Sequence, residues 1–80
     1  TKLERLYLQN TKVTDAGLVH LKGLTNLETL VLDRIQVTDV GLAHLKGLTR
    51  LKELYLTRTK VTDAGVASLK QALPDCKISH

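Results

Sequence analysis

The chain repeats one apolar pattern three times, and each copy starts 24 residues after the last. The pattern reads L-x-x-L-x-L-x-x-x-x-V-T-D-x-G, and the copies begin at Leu3, Leu27 and Leu51. A fixed period of roughly 20 to 50 residues is typical of repeat architectures, in which each unit buries its apolar face by stacking on its neighbours. The period therefore constrains the fold more than the length of 80 residues does.

Within each copy the spacing of the apolar residues changes from two to three. Leu6 and Leu8 alternate with other residues, which predicts a short strand with one buried face. Leu18 and Leu21 lie three residues apart, which suits a helix. We therefore predict an α/β fold, a right-handed solenoid with short parallel strands on its concave face and short helices on its convex face.

A single domain over residues 1–80 is predicted to hold three repeats and a closing segment. Their boundaries are residues 3–26, 27–50, 51–74 and 75–80. Pro74 ends the last helix, and Cys76-Lys77-Ile78 is predicted to form a closing strand in which Cys76 replaces a leucine. A buried structural thiol is favoured over a reactive one. Because no capping unit precedes the first copy, we expect the chain to be the C-terminal part of a longer protein.

The same turn residues stand before each predicted helix. Thr14 or Asp15 can cap the first helix, and Asp15 also lies at the positive end of the helix dipole. A glycine follows in each copy at a cost of about 1 kcal/mol relative to alanine, so we infer a close approach of neighbouring coils there. These glycines are Gly17, Gly41 and Gly65. Gly23 and Gly47 are predicted to end helices in the left-handed conformation.

The repeat resembles that of a known family. The stretch Leu3-x-x-Leu6-x-Leu8-x-x-Thr11-x-Val13-Thr14-Asp15-Ala16-Gly17-Leu18-x-x-Leu21 is similar to the bacterial leucine-rich repeat of planctomycete-type proteins. The ending Ala72-Leu73-Pro74-Asp75-Cys76-Lys77-Ile78 resembles the C-terminal closure of that group. The resemblance implies a surface for protein interaction. Where the family often has Asn, Cys or Thr, as at Thr11 and Thr59, the middle copy has Ile35, so its turn must satisfy the backbone differently.

The side chains between the strand leucines are predicted to face the concave surface as stripes. The columns are Arg5, Thr29 and Glu53; Tyr7, Val31 and Tyr55; and Gln9, Asp33 and Thr57, flanked by Asn10, Arg34 and Arg58. Tyrosine and arginine are enriched at binding hot spots, so we interpret this face as the site for a protein partner. The alternative is that tyrosine and valine merely favour strands.

A second hypothesis is a structural role. The uncapped first coil, built on Leu3, Leu6, Leu8, Leu18 and Leu21, would then self-associate, for example as a homodimer through the N-terminal end. An enzyme is disfavoured, because no nucleophile–base arrangement or phosphate loop appears, and no cofactor is predicted.

Metal and nucleic-acid binding are also disfavoured. His20 and His44 share one helix position, but the third copy has Ser68 there, and a metal site needs three or four ligands. The net charge is +4, yet the basic residues are spread out and form no stripe interleaved with aromatics. No apolar run approaches the roughly 20 residues of a membrane span, and the sequence leaves the localisation undetermined.

Overall fold

Strands and short helices alternate along the computed structural model, which describes residues 3–80. Residues 1–2, part of the predicted domain, lie outside the described residues. The elements are β1 (Arg5–Tyr7), α1 (Asp15–Leu18), β2 (Thr29–Val31), α2 (Asp39–Ala43), β3 (Glu53–Tyr55), α3 (Asp63–Ala72) and β4 (Lys77–Ser79). A 3-10 turn over Val19–Leu21 follows α1. No helix within residues 3–80 is long and apolar enough to cross a membrane.

The four strands form one parallel sheet in the order β1-β2-β3-β4. Leu6 pairs with Leu30, Leu30 with Leu54, and Leu54 with Ile78. Each step is 24 residues, so the period of the sequence also sets the register of the sheet. The predicted arrangement of parallel strands and short helices is confirmed.

One aliphatic core lies between the sheet and the helices. Leu30 and Leu54 enter it from the strands, and Leu18 and Leu42 enter it from the helices. Full burial of such a side chain contributes about 1.5–3 kcal/mol. Several apolar side chains of the first coil (residues 3–26) that lie outside α1 and the 3-10 turn are only partly buried, at the edge of this core. Leu6, Leu8, Val13 and Leu24 are in this group.

Threonine caps the second and third helices. The Thr38 hydroxyl accepts a hydrogen bond from the backbone N–H of Val40 at 3.3 Å, and the Thr62 hydroxyl accepts one from Gly65 at 3.1 Å. These bonds satisfy N–H groups that have no partner within the helix. Thr14 stands at the same place before α1 but makes no side-chain cap bond.

The aspartate that opens each helix joins one coil to the next. Asp15 Oδ1 accepts from the backbone N–H of Thr38 at 2.8 Å, and its Oδ2 accepts from the Thr38 hydroxyl at 2.6 Å. Asp39 accepts the same two bonds from Thr62, at 2.8 and 2.5 Å. Thr14 takes the N-cap position of α1 without a side-chain bond, and the Asp15 carboxylate is engaged by the following coil. The prediction that Thr14 or Asp15 caps this helix with its side chain was therefore wrong. The Thr62 hydroxyl and backbone N–H lower the pKa of Asp39.

Two glycines make room for these carboxylates. A methyl group on Gly41 would overlap with Oδ1 of Asp15 and lie 2.8 Å from Cδ1 of Leu18. On Gly65 it would overlap with the carboxylate of Asp39. The inferred close approach of neighbouring coils is confirmed at these two positions. It was wrong at Gly17, where, among the described residues, only Val13 of the same coil lies within 4 Å of an added methyl group.

The helices do not end on left-handed glycine, and that prediction was wrong for Gly23 and Gly47. No glycine within residues 3–80 has a positive φ. After α1 the chain instead continues through turns closed over three residues, such as the bond from Leu24 N–H to the Leu21 carbonyl at 3.0 Å. The equivalent bond in the second coil is also 3.0 Å.

The turn of the middle copy meets its backbone requirement without a hydroxyl. Thr11 and Thr59 donate to the carbonyl three residues earlier, at 2.7 and 2.6 Å. Ile35 buries its side chain in the core, and only its backbone N–H donates to the Leu32 carbonyl, at 3.4 Å. The middle turn therefore replaces a hydroxyl bond with apolar burial.

Cys76 occupies the place of a repeat leucine at the C-terminal end. Its side chain is buried, and its N–H donates to the Leu73 carbonyl at 3.1 Å, as Leu51 donates to Leu48 at 3.0 Å. Burial raises the pKa of the Cys76 thiol, which disfavours the thiolate. The closing strand begins at Lys77, one residue later than predicted.

Candidate functional site

The exposed face of the sheet brings the predicted site residues into register. Arg5 pairs with Thr29 and Thr29 with Glu53, and the second column, Tyr7, Val31 and Tyr55, is aligned in the same way. The closing strand lengthens both columns, with Lys77 beside Glu53 and Ser79 beside Tyr55. Sequence reasoning missed these two residues, although the closing strand that it predicted could have indicated them.

The second column forms an aromatic–apolar stripe, Tyr7–Val31–Tyr55. Tyr7 is 57% exposed, while Val31 and Tyr55 are half-buried. Neighbouring strands lie about 4.8 Å apart, so the three side chains form one continuous surface. The Tyr55 hydroxyl donates to Glu53 Oε2 at 2.9 Å, and this bond and the Glu53 charge raise the pKa of Tyr55. Because this contact restrains the Tyr55 ring, less side-chain entropy is lost when a partner binds.

One residue of the third column, Asp33, also joins two coils of the fold. Asp33 Oδ1 accepts a hydrogen bond from the backbone N–H of Thr57 at 2.8 Å, which joins the second coil to the third. Asp33 is half-buried, whereas Gln9 and Thr57 are exposed. The structure therefore gives Asp33 a role between coils in addition to its place on this face.

The residues that follow this column adopt the left-handed conformation. The φ angles of Asn10, Arg34 and Arg58 are 61°, 62° and 58°. Asparagine tolerates this region, but an arginine there costs roughly 1 kcal/mol. Such outliers cluster at functional sites, where the side chain is retained despite the strain. The sequence indicated arginines beside the strands. Asn10, at the equivalent position of the first copy, could have indicated their backbone conformation, because asparagine is enriched in the left-handed region.

The acidic side chains of this face are engaged by groups other than its arginines. Glu53 is engaged by Tyr55, and Asp33 is engaged by a backbone N–H. The side chains of Arg5, Arg34 and Arg58 form no ion pair with any part of residues 3–80. The sheet face thus presents an aromatic–apolar stripe beside unpaired guanidinium groups.

The helix face gathers no comparable set. His20 and His44 have no third ligand, and no group of three His, Cys, Asp or Glu within residues 3–80 could hold a metal ion. The lysine and serine near that position form a polar contact, with Lys46 Nζ donating to Ser68 Oγ at 3.1 Å.

A polar cleft lies where the strands begin. Glu4, Asn26, Glu28 and Arg50 line it. Arg50 donates to Asn26 Oδ1 at 3.1 Å, and the neighbouring Glu28 forms an ion pair with Lys52 at 3.4 Å. These contacts join one coil to the next, so we assign the cleft to the packing between coils and not to a binding site.

Two family models match the chain. A model of leucine-rich repeats in two copies covers residues 1–44, and a second leucine-rich repeat model covers residues 47–70. No curated protein matches the chain. The chain belongs to the leucine-rich repeat family, and its parallel sheet backed by short helices is the α/β solenoid of that family. Repeats of this family generally act as non-enzymatic protein-interaction modules.

Proposed function

We propose that the chain is a protein-binding module whose exposed sheet face receives the partner. The observation that carries the proposal is the in-register stripe Tyr7–Val31–Tyr55, with Tyr7 57% exposed. An exposed stripe of this kind on a repeat protein is a recurrent mark of interaction surfaces. The membership in the leucine-rich repeat family supports a protein as the ligand.

The charges beside the stripe define the chemistry of the partner. Arg34 and Arg58 are exposed and have no ion pair with the described residues, and Arg5 stands at the other side of the stripe. Arginine pairs best with planar carboxylates, which accept two parallel hydrogen bonds. The partner surface that fits is an apolar or aromatic side chain flanked by acidic residues.

Selection of peptides tests this proposal without a known partner. A library of displayed peptides is selected against the folded chain, and the affinity of the enriched peptides is then measured. Enriched sequences are expected to combine an aromatic or large aliphatic residue with Asp or Glu. Replacing Tyr7 and Tyr55 by alanine should weaken binding by more than about tenfold, because tyrosines that a partner covers are frequent hot spots.

A matched control lies on the helix side. Val40 is 67% exposed there, so Val40→Ala removes exposed apolar surface without touching the sheet. Binding should persist in this variant, and circular dichroism should be unchanged in both. Peptides that bind the double tyrosine variant as well as the parent, yet lose affinity with Val40→Ala, would move the site to the helix side and end the proposal.

Self-association through the first coil is a second candidate. The observation in its favour is Leu3, which is 41% exposed, whereas the equivalent Leu27 of the second coil is buried. Size exclusion with light scattering across a range of concentrations tests it. A concentration-dependent dimer abolished by Leu3→Ser would support it, and a monomer at all concentrations would reject it.

The repeats also bear on the origin of the chain. We infer a bacterial leucine-rich repeat protein of the planctomycete type, because the 24-residue period and the repeated Val-Thr-Asp run resemble that group. The matching family models identify the repeat itself. A homologous open reading frame confined to another lineage would contradict this inference.

A further inference from the structure

Most of the net charge of the chain lies along one edge of the sheet. The turns that follow β1, β2 and β3 cover residues 9–12, 33–36 and 57–60. They contain four basic residues and one acidic residue, a net charge of +3 out of the +4 of the whole chain. We call the four basic residues, all of them exposed, the basic edge; they are Lys12, Arg34, Arg58 and Lys60. Stacking thus gathers charges that are spread along the sequence.

Two arginines of the basic edge stand side by side on neighbouring turns. The Arg34 N–H donates to the Thr57 carbonyl at 2.9 Å, which holds the second and third turns together. Neighbouring strands of a sheet lie about 4.8 Å apart. The φ angles of Arg34 and Arg58 are 62° and 58°, so their Cα–Cβ bonds leave the two turns in nearly the same direction. The two guanidinium groups can therefore reach one ligand.

The turn itself does not require arginine at this position. Asn10 holds the same place in the first turn with a φ of 61°, and asparagine suits that conformation better than arginine does. Arg34 and Arg58 instead strain the backbone and place like charges on neighbouring turns. Neither forms an ion pair within residues 3–80. A bound anion with more than one negative charge would offset the repulsion between them.

The one acidic residue of these turns offsets little of this charge. Asp33 is half-buried, and its Oδ1 accepts the backbone N–H of Thr57 at 2.8 Å. Its single charge stands against those of Arg34 and Arg58, and Lys60 adds another two residues after Arg58. The potential along the basic edge is therefore positive, which attracts an anionic ligand.

We propose that Arg34 and Arg58 together bind a phosphate group on the partner of the sheet face. A phosphorylated side chain carries about −1.5 to −2 charges at pH 7 and three acceptor oxygens, so one phosphate matches two guanidinium groups. A carboxylate carries one charge and two oxygens, which a single guanidinium group satisfies. The ligand class is a phosphorylated serine, threonine or tyrosine of a protein. This inference rests on the proposed function, because the stripe Tyr7–Val31–Tyr55 supplies the other contact.

The position of the stripe limits where the phosphate stands in the partner. Tyr55 precedes Arg58 by three residues, and Val31 precedes Arg34 by three. Three residues of extended chain span at most about 10 Å. A peptide that runs along the strands therefore places its phosphorylated residue within about three positions of the apolar residue that covers the stripe.

Nucleic acid is another source of phosphate, and the basic edge fits it less well. Residues 9–12, 33–36 and 57–60 contain no aromatic side chain on which a base could stack. The neutral Gln36 also separates the two lysines, so the basic charge does not continue along the stack. Membership in the leucine-rich repeat family favours a protein ligand.

Matched peptides test the proposal on the full chain. Each fluorescent peptide carries one tyrosine anchor and, at successive positions on either side of it, phosphoserine, a Glu-Glu pair or serine. The Glu-Glu pair has a charge similar to that of phosphoserine without its geometry. Fluorescence anisotropy measures the affinities. We expect phosphoserine within about three positions of the anchor to bind about tenfold or more tightly than the Glu-Glu pair.

Two substitutions remove the guanidinium groups and keep the turns. Arg34→Asn with Arg58→Asn installs the residue that Asn10 already places at this φ, so the fold should be retained. The affinity for phosphoserine peptides should fall to that for Glu-Glu peptides. As a control, Lys22→Gln with Lys46→Gln removes the same charge from exposed positions on the helix side. The preference for phosphoserine should persist in this control.

The outcomes separate this inference from the proposed function. Equal affinities for phosphoserine and Glu-Glu peptides, or a preference that survives the loss of both arginines, would overturn the phosphate site. If Tyr7→Ala with Tyr55→Ala still weakens all peptides in that case, the sheet-face function stands. Failure of every peptide to bind would overturn both. A single-stranded oligonucleotide that binds through the two arginines more tightly than the phosphoserine peptides would also overturn the inference.

Discussion

The first and second coils carry the same leucines at equivalent positions and differ in what surrounds them. One core position also differs in sequence, because buried Ile35 stands where the first coil has Thr11. Leu3 is 41% exposed, and Leu27 is fully buried. Within residues 3–80 Thr14 donates to no carboxylate and forms no side-chain cap bond, whereas the Thr38 hydroxyl donates to Asp15 and caps α2. Burial in a repeat protein therefore depends on the neighbours of a residue as much as on its own type, and most of the stability arises at the contacts between coils.

The contact between coils also bears on helix capping. The Thr38 hydroxyl donates a hydrogen bond to Asp15, and a lone pair on the same oxygen accepts a hydrogen bond from the N–H of Val40. The contact between coils and the start of the next helix are thus coupled through one side chain. The Thr14 hydroxyl donates to no aspartate among residues 3–80, and it accepts no hydrogen bond from the N–H groups of α1.

Removing a core leucine should give the largest difference between the two coils. Leu30→Ala should lower the free energy of unfolding by about 2–5 kcal/mol, because it leaves a cavity in the closed core. Leu6→Ala, at the paired position of β1, should cost roughly 1–2 kcal/mol, because Leu6 is only partly buried and water fills the gap. Urea unfolding measures both, and equal losses would contradict the contrast between the coils.

A methyl group on the helix glycine should give the second-largest difference in stability between the two coils. Gly41→Ala should destabilise the chain by about 1–3 kcal/mol, because its Cβ would overlap with Asp15 Oδ1 of the preceding coil and lie 2.6 Å from Val37 Cγ2 of its own coil. Gly17→Ala should stay within about 0.5 kcal/mol of the parent, because the gain in helix propensity offsets a small shift of Val13. Thermal unfolding compares the two variants. A matching loss at Gly17 would show that the cost comes from the helix and not from the neighbouring coil.

Exchanging asparagine and arginine at the left-handed turn should have a smaller effect. Arg58→Asn should stabilise the chain by roughly 0.5–1 kcal/mol, since asparagine accepts a φ of 58° more readily. The reverse change in the first coil, Asn10→Arg, should cost a similar amount. The midpoint of urea unfolding measures both. If Arg58→Asn also weakens the selected peptides, the strained arginine serves binding at the expense of stability.

The smallest expected effect is the pH dependence of one contact between coils. Hydrogen bonds from Thr62 lower the pKa of Asp39 below the ordinary value of 3.8. The folded state therefore binds this proton less readily than the unfolded state. The stabilisation is present above pH 3.8 and is lost as the pH falls through the lower folded-state pKa.

Unfolding of the parent and of Asp39→Asn at several pH values checks this expectation. Acid should reduce the stability of the parent more steeply than that of the variant, which has no carboxyl group to protonate at this position. Parallel curves would show that Asp39 does not contribute to the acid sensitivity.

The sequence predicted the repeat, the strand leucines and the composition of the sheet-face columns. It did so because a period of two places alternate side chains on one face, and a period of 24 places equivalent residues side by side. It could not predict that Asp33 bonds to Thr57, because that contact joins two coils and depends on their separation. The same holds for the aspartates, whose position at the start of a helix suggested a cap.

The sequence by itself determined the architecture, because one apolar pattern repeated in a fixed register has few ways to bury its leucines. The tertiary structure alone decided the rest. Stacking brings Asp15 to Thr38 and places Asp15 Oδ1 where Gly41 would carry a Cβ. These features depend on distances of a few ångströms between coils. The repeated glycines indicated that neighbouring coils approach closely, but the linear pattern does not show which atoms meet there.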